Sequence, residues 1–148
     1  MVTLKAQGQL GDGVTCKVVT GQGPVEAGLH PATGGTGLSV CSGEMLLEAL
    51  VACAGVTLSA VATALGITIR SGAVTAEGDL DFRGTLGVSR EAPVGFRRIR
   101  LRFALETAAS EGELATLVRL TERYCVVYQT LSRPPEMSIA HAGAAPVA

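Results

Sequence analysis

A run of residues without any charged side chain, residues 49–69, constrains the fold more than any other feature of this chain. Its length of about 20 residues would allow a helix to cross a bilayer. The run also contains Thr57, Ser59 and Thr63, two glycines and many alanines, which makes it only weakly hydrophobic for membrane insertion. A helix that is covered by protein on all sides shows the same pattern. We therefore predict a buried central helix and no membrane partner.

The composition is typical of one domain with an aliphatic core. A chain of 148 residues can bury roughly two thirds of the surface that its unfolded form exposes, so we expect a single domain over residues 1–148. Hydrophobic residues make up 47% and aromatic residues only 3%, so the core must be built from Ala, Val, Leu and Ile. The net charge of −1, from 12 basic and 13 acidic side chains, offers no surface for a polyanion. Nucleic acid is therefore not an expected partner.

The segments before the central helix are short and rich in glycine. Residues 3–20 are β-prone and interrupted by glycines, which predicts a hairpin with a glycine turn. Residues 21–37 combine Gly, Pro and Thr and are expected to form a long loop, either mobile or functional. Ser42 is the expected cap of the central helix, and Glu44 lies in its first turn, where a carboxylate interacts favourably with the helix dipole. Gly66 is expected to end this helix.

The chain after the central helix begins with strands. Three of them are predicted, over residues 67–70, 74–82 and 96–106. In the last of these, cationic and apolar residues alternate, which predicts that Arg98, Arg100 and Arg102 share one solvated face.

A second helix is predicted from a capping box, in which Ser110 is followed three residues later by Glu113. This helix is expected to end near Cys125, and a short helical turn follows over residues 126–131. Residues 136–140 are expected to close the fold as a strand. Strands joined by short turns pair antiparallel, and helices grouped on one face of a sheet make two layers. The sequence therefore predicts a two-layer α+β fold.

Two cysteines that lie 72 residues apart, Cys53 and Cys125, carry the chemistry from which we infer an enzyme. Two thiols that can approach each other can cycle between dithiol and disulfide. Cys53 lies in the middle of the apolar helix, where desolvation raises the pKa of a thiol, and a role in packing alone is the alternative. Cys125 lies at a helix boundary. A new helical turn from Val126 would stabilise its thiolate, whereas the end of the preceding helix would oppose its ionisation.

Glu44 precedes Cys53 by nine residues, which on an unbroken helix gives about 13 Å of rise and about half a turn of rotation. One continuous helix therefore keeps the carboxylate away from the thiol. If Glu44 takes part in the chemistry, either the helix is broken between the two residues or Glu44 contributes to the site of a second subunit. The alternative is that Glu44 only pairs with the helix dipole.

For the remaining candidate residues, the sequence shows no neighbouring group that would activate or orient them. Cys16 lies in a predicted strand and Cys41 in a loop, and both are expected to be spectators. The four cysteines do not have the paired spacing of zinc ligands, so neither a metal nor another cofactor is expected. His30 and His141 leave a Cys–His hydrolase open, but nothing in the sequence orients either imidazole. Cysteines without tight spacing, and a start without a long apolar run, favour the reducing cytoplasm.

Two motifs resemble those of the OsmC/Ohr superfamily, the osmotically inducible and organic hydroperoxide resistance proteins. The first is SGEMLLEALVAC, residues 42–53, which is similar to the family's pattern of an acidic residue, a Leu/Ala helix and a cysteine. The second is TERYCVVYQTL, residues 121–131, which resembles the helix end that carries the other cysteine. The separation of the two cysteines and the order of elements also fit, so the resemblance covers nearly the whole chain.

The resemblance implies an intertwined homodimer, in which antiparallel sheets wrap around long central helices and the thiol sites lie at the subunit interface. Two subunits would bury the uncharged run, and Glu44 would lie near a jointly built site. In the peroxidase branches, the first cysteine attacks a small organic or lipid hydroperoxide and forms a sulfenic acid, which the second cysteine resolves to a disulfide. The resemblance gives Cys53 the first role and Cys125 the second, with a thiol reductant that regenerates the pair.

Two positions depart from the pattern of the peroxidase branches. In those branches an arginine from an early strand activates the first thiolate, but here the first arginine is Arg70, which leaves Lys5 or Lys17 to supply charge. Val126 stands where a proline often follows the second cysteine. The alternative function is therefore a non-catalytic dimeric module that binds a small hydrophobic or thiol ligand. Such a module would keep its thiols in the presence of an organic hydroperoxide, whereas the enzyme would lose two per chain.

Overall fold

The computed structural model describes residues 1–143 and has the predicted α+β architecture. The strands are β1 (Gly8–Leu10), β2 (Cys16–Thr20), β3 (Gly23–Gly28), β4 (Val40–Cys41), β5 (Ile69–Asp79) and β6 (Arg98–Thr107). The α-helices are α1 (Ser42–Leu65), α2 (Phe82–Thr85), α3 (Glu111–Tyr124) and α4 (Val126–Ser132). The strands form two sheets, one with the order β1-β2-β3-β4 and one made of β5 and β6.

The first sheet contains the predicted hairpin and two strands that were not predicted, β3 and the short β4, which includes Cys41. β1 pairs antiparallel with β2, as expected for residues 3–20. The prediction of a continuous loop over residues 21–37 is wrong, because β3 pairs antiparallel with β2 along its length and β4 then joins β3 in parallel. Gly23 begins β3 with a φ of 121°, a conformation open to glycine, and its carbonyl accepts a 2.6 Å hydrogen bond from the Thr20 hydroxyl. The glycines that suggested a loop therefore form a tight turn and a strand.

The second sheet is a long antiparallel pair. The two strands predicted over residues 67–70 and 74–82 form one strand, β5, with an irregular register between Ile69 and Ser71. A backbone partner on β6 continues the ladder through Ser71 and Gly72, which side-chain propensity alone marks as a break. Directly opposite residues, such as Val74 and Phe103, are partly buried against the core of the fold.

The arginine row of β6 is solvated only in part. Arg98 and Arg102 are exposed, whereas Arg100 is half-buried and reaches across to β5. Its guanidinium donates hydrogen bonds of 2.5 and 2.8 Å to the two carboxylate oxygens of Asp79 and one of 3.1 Å to Glu77. The middle arginine therefore links the two strands of the sheet.

Helix α1 carries the core on one stripe. Its buried residues, Leu50, Ala54, Leu58 and Ala62, follow one another at four-residue spacing and face β5, β6, α3 and α4. The helix ends where predicted, because Gly66 has a φ of 69° and the N–H groups of Gly66 and Ile67 bond back to Thr63 and Ala62. Ser42 is not the cap, because it already belongs to the helix; Cys41 takes the cap position, without a capping hydrogen bond from its side chain.

The opposite face of α1 is apolar and open. Val56 is 73% exposed, and over an 18-residue window the helix has a mean hydropathy of 2.0 with only 22% of the window buried. By length and composition alone α1 could cross a membrane, a test that the core helix of a soluble protein also passes. The prediction that protein covers this helix on all sides is therefore not met within one chain, in which one face of α1 is covered and the other is open.

The C-terminal half contains the predicted capping box. The Ser110 hydroxyl accepts from the Glu113 N–H, and the Glu113 carboxylate accepts a 2.7 Å hydrogen bond from the Ser110 N–H. The short helix predicted at residues 126–131 is α4. Residues 136–140 do not form the predicted strand, because they follow two prolines without N–H donors and pair with no strand of the described chain.

Candidate thiol site

The fold brings the two predicted thiols together at the point where α1 passes the junction of α3 and α4. Cys125 is the single residue between α3 and α4. Its N–H donates a hydrogen bond to the Thr121 carbonyl, and its carbonyl accepts one from the Gln129 N–H, each at 2.9 Å. Its side chain is only 1% exposed and packs in a core cluster with two residues of α1. Cys53 packs against this cluster from α1, so the fold brings the two cysteine side chains into one packed region. Both are free thiols.

The environment of Cys53 favours its thiolate. Burial raises the pKa of this thiol, but hydrogen bonds from the backbone N–H groups of Val127 and Val126, the Cys125 thiol and the Thr57 hydroxyl outweigh burial and leave the pKa below its ordinary value. The two N–H groups belong to the first turn of α4, whose N–H groups have no intrahelical partner. The stabilising partner that Cys53 needs in an apolar helix is therefore supplied mainly by backbone.

The environment of Cys125 favours its protonated form. Burial raises the pKa of this thiol, and the neighbouring Cys53 raises it further through its hydrogen bond and its charge, so that the N–H groups of Tyr128 and Val127 are outweighed. The sequence left open whether a helix start or a helix end would dominate at Cys125. A new helical turn does begin after Cys125, but the backbone N–H groups of Val126 and Val127 lower the pKa of Cys53. The pair is therefore asymmetric, with a lowered thiol pKa on α1 and a raised thiol pKa at the helix junction.

Glu44 does not lie with the thiols in one chain. Helix α1 is continuous from Ser42 to Leu65, so nine residues separate Glu44 from Cys53 by about 13 Å along its axis. The exposed carboxylate instead lines a cavity of about 460 Å³ that is also lined by Asp79 and Phe96. Of the two ways in which Glu44 could act on a thiol, a break in the helix is excluded.

The other cysteines and histidines lie apart from the thiol pair. Cys16 is on β2 in the first sheet, and Cys41 caps α1 at the end that is remote from Cys53. His30 stacks on Phe82 with ring centroids 5.1 Å apart, and its Nδ1 accepts a hydrogen bond from Ala32 N–H. Within residues 1–143, no cluster of three or more His, Cys, Asp or Glu side chains is arranged to bind a metal ion.

Several residues around the pair escaped the sequence analysis in their present roles. Thr57 was recognisable as a neighbour of Cys53 on the same helix face, since four residues separate them. The predicted helix start at Val126 indicated free N–H groups at that point, but the sequence did not indicate that they act on Cys53. Tyr128 packs against the core cluster, and burial, together with the charge and hydrogen bond of Glu122, raises the pKa of its phenol. Tyr128 is one of only two tyrosines in the chain, and its position three residues after Cys125 was the available signal.

The fold and the paired thiols define a class of α+β proteins in which a long apolar helix presents one cysteine to a second cysteine at a helix junction. The family described as OsmC-like protein matches residues 35–140, which is more than half of the chain. The chain therefore belongs to the OsmC-like family. Among curated proteins, none matches the chain.

Solved structures share the fold at low sequence identity. An OsmC-like protein from Mycoplasma pneumoniae is 19% identical, with 90% of this chain and 89% of that chain covered and a TM-score of 0.75. An organic hydroperoxide resistance protein from Elizabethkingia anophelis is 17% identical, with 90% of both chains covered and a TM-score of 0.70. An organic hydroperoxide resistance protein, OsmC, from Legionella pneumophila is 18% identical, with 90% and 91% covered and a TM-score of 0.68. Identities this low show a common fold.

Proposed function

We propose that this protein is a thiol-dependent hydroperoxide reductase that acts on small organic or lipid hydroperoxides. The observation that carries the proposal is that Cys53 packs against the core cluster that contains Cys125, with the pKa of Cys53 lowered and that of Cys125 raised. A peroxidatic cysteine must be a nucleophilic thiolate, and a resolving cysteine must lie within reach of it. Fold relatives named as organic hydroperoxide resistance proteins support the same reading.

Two steps follow from this assignment. The Cys53 thiolate attacks the outer oxygen of the hydroperoxide, the O–O bond breaks, and the leaving alkoxide takes up a proton to give an alcohol, while Cys53 becomes a sulfenic acid. The Cys125 thiol then attacks the Cys53 sulfur, the S–O bond breaks, and water leaves with the formation of a disulfide. The peroxide is reduced by two electrons, and two thiols are oxidised. A thiol reductant returns the pair to the dithiol.

A homodimer is part of the proposal because the single chain leaves too much surface uncovered. The accessible surface is 11279 Å², whereas a folded monomer of 15.1 kDa exposes about 7,100 Å². The excess comes in part from the exposed segments over residues 1–10 and 130–143 and in part from the open face of α1, where Val56 is 73% exposed. A second copy seated on this face would bury the apolar helix, and it is the remaining way for Glu44 to reach a Cys53. We place this homodimer in the cytoplasm, where the thiols stay reduced.

Thiol counting tests the proposal directly. The reduced protein has four free thiols, and one equivalent of an organic hydroperoxide should leave two of them titratable. Cys53→Ser should abolish peroxide consumption. Retention of all four thiols in the wild-type protein would contradict the proposal.

A second candidate function is a dimeric module that binds a small hydrophobic or thiol ligand without turnover. The observation that favours it is that every group lowering the pKa of Cys53 is a neutral hydrogen-bond donor, with no charged side chain among them. The earliest arginine, Arg70, lies on β5 and ion pairs with Glu106. Such a module would keep its thiols under the same hydroperoxide treatment.

A further inference from the structure

A small cavity of about 140 Å³ reaches Cys125 from a side that α1 does not line. Its lining residues come from β6, α3, α4 and the junction between the helices, namely Leu101, Phe103, Val118, Thr121, Glu122, Cys125 and Tyr128. Cys125 lines this cavity, and Cys53 does not. The proposed peroxide chemistry starts at Cys53 and assigns no use to this space.

We propose that the cavity is the entry site for the reductant, a small neutral or cationic thiol that attacks the sulfur of Cys125 once the Cys53–Cys125 disulfide has formed. The inference rests on the proposed function and specifies how its catalytic cycle closes. Thiol–disulfide exchange proceeds by attack of a thiolate on one sulfur while the other sulfur leaves. Cys125 is almost fully buried in the core, and this cavity is a space that Cys125 lines and Cys53 does not.

The choice of sulfur follows from the leaving group. A thiol of lower pKa leaves faster in exchange reactions. Attack at Cys125 expels Cys53, whose thiolate is stabilised by the N–H groups of Val126 and Val127 and by Thr57, and these donors remain in place. Attack at Cys53 would expel Cys125 into a buried position that disfavours a thiolate. Both the cavity and the leaving group therefore direct the reductant to Cys125.

The chemical class of the reductant follows from the size and charge of the cavity. A volume of about 140 Å³ accommodates a slim alkyl thiol. Glu122 is the charged residue among the seven that line the space, and it accepts a hydrogen bond from Tyr128 there. A carboxylate at this position repels an anionic thiol and attracts a cationic one.

The reduction of the Cys53–Cys125 disulfide takes place in two thiol–disulfide exchange steps. The thiolate RS⁻ forms a bond to the Cys125 sulfur, the Cys53–Cys125 bond breaks, and Cys53 leaves with the electron pair. A second thiol, or the second arm of a dithiol, then attacks the external sulfur of the mixed disulfide. Cys125 leaves and takes up a proton. Two thiols of the reductant are oxidised to a disulfide, and the protein regains its dithiol.

The test uses a Cys16→Ser, Cys41→Ser background, in which the disulfide is formed with diamide and therefore does not depend on peroxide activity. The oxidised protein is treated briefly with 2-mercaptoethanol, quenched in acid and digested, and mass spectrometry locates the mixed disulfide. We expect the adduct on the peptide that contains Cys125. An adduct on Cys53 would overturn the entry site and leave the peroxidase proposal intact. If diamide forms the disulfide and a hydroperoxide does not, the peroxidase proposal is overturned.

Two variants test the cavity itself. Val118→Trp, which fills the space, should slow reduction of the disulfide about tenfold or more, and the matched Val118→Ala, which widens it, should not slow it. In the wild-type background, cysteamine should outpace 3-mercaptopropionate after correction for their thiolate fractions, and Glu122→Gln should reduce that preference. Equal rates for the two Val118 variants, or a charge preference unchanged in Glu122→Gln, would overturn the cavity as the entry site. Adduct mapping in the background protein decides between the sulfurs even if Val118→Trp does not fold.

Discussion

Val127, in the first turn of α4, packs against the same core cluster as Cys53 on α1, and its backbone N–H lowers the pKa of the Cys53 thiol. This contact joins two elements that are separated by more than 70 residues of sequence, and it directs the start of one helix at the middle of another. Because the donor is backbone, side-chain substitution at Val127 leaves it in place. The position of α4, and with it the bend at Cys125, therefore controls how readily Cys53 ionises.

The alkylation of Cys53 should persist below the pH at which ordinary thiols become unreactive. The thiolate is the reacting species, so a lowered pKa moves the midpoint of the pH–rate profile below the value of about 8.5 for a free cysteine. Iodoacetamide labelling followed by peptide mass spectrometry measures this midpoint, with the urea-unfolded protein as the reference. Cys125→Ala removes one donor and should raise the midpoint, whereas Cys125→Ser retains a hydroxyl donor and should raise it less. A native midpoint equal to that of the unfolded protein would contradict the asymmetry.

Glu44 should act on the thiol of the other subunit. Each of the single variants Glu44→Gln and Cys53→Ser should lower peroxide turnover, the first by about tenfold or more. A mixed dimer of the two variants contains one chain with Cys53 but without Glu44, and its partner supplies a wild-type Glu44. We expect co-expression with two affinity tags to recover activity in the mixed dimer. If Glu44 acted within its own chain, the mixed dimer would stay as inactive as the two parents.

Charge on the open face of α1 should break the assembly. Val56 and Val88 are each 73% exposed, but Val56 lies on the apolar helix and Val88 follows the short helix α2. Val56→Arg places a charge where a second copy is expected to pack, so the solution mass should fall from about twice 15.1 kDa to the mass of one chain. Val88→Arg adds the same charge at the same exposure and should leave the mass unchanged. Light scattering after size-exclusion chromatography measures the solution mass of both variants. An unaltered mass for Val56→Arg would exclude α1 from the interface.

The capping box of α3 should contribute measurably to stability in a pH-dependent way. Ser110→Ala removes the side-chain cap and should lower the free energy of unfolding by about 1 kcal/mol at neutral pH. Hydrogen bonds from the Ser110 hydroxyl and N–H lower the pKa of Glu113 in the folded protein. A lowered carboxyl pKa stabilises the fold above the unfolded value of about 4.3 and loses this effect as pH falls through the folded value. Urea unfolding should therefore show a smaller cost of Ser110→Ala at pH 3 than at pH 7.

Local chemistry made the helices predictable. The absence of charge over residues 49–69 and the glycine at position 66 set the length and the end of α1, since the left-handed turn at Gly66 requires no distant partner. Ser110 and Glu113 start α3 through contacts made three residues apart. Local patterns gave wrong predictions of a loop at β3 and of a strand over residues 136–140, because a strand forms only where another strand provides backbone partners.

The sequence by itself determined the α+β class, the central helix and the capping box, and it singled out Cys53 and Cys125 as the candidate site residues. Only the tertiary structure decided that these cysteines meet and that their pKa values diverge. The reason is physical: ionisation of a thiol depends on desolvation and on donors within a few ångströms, and here the donors are N–H groups of α4 that lie remote in sequence from Cys53. Which face of α1 stays open was likewise set by packing against β5, β6 and α3.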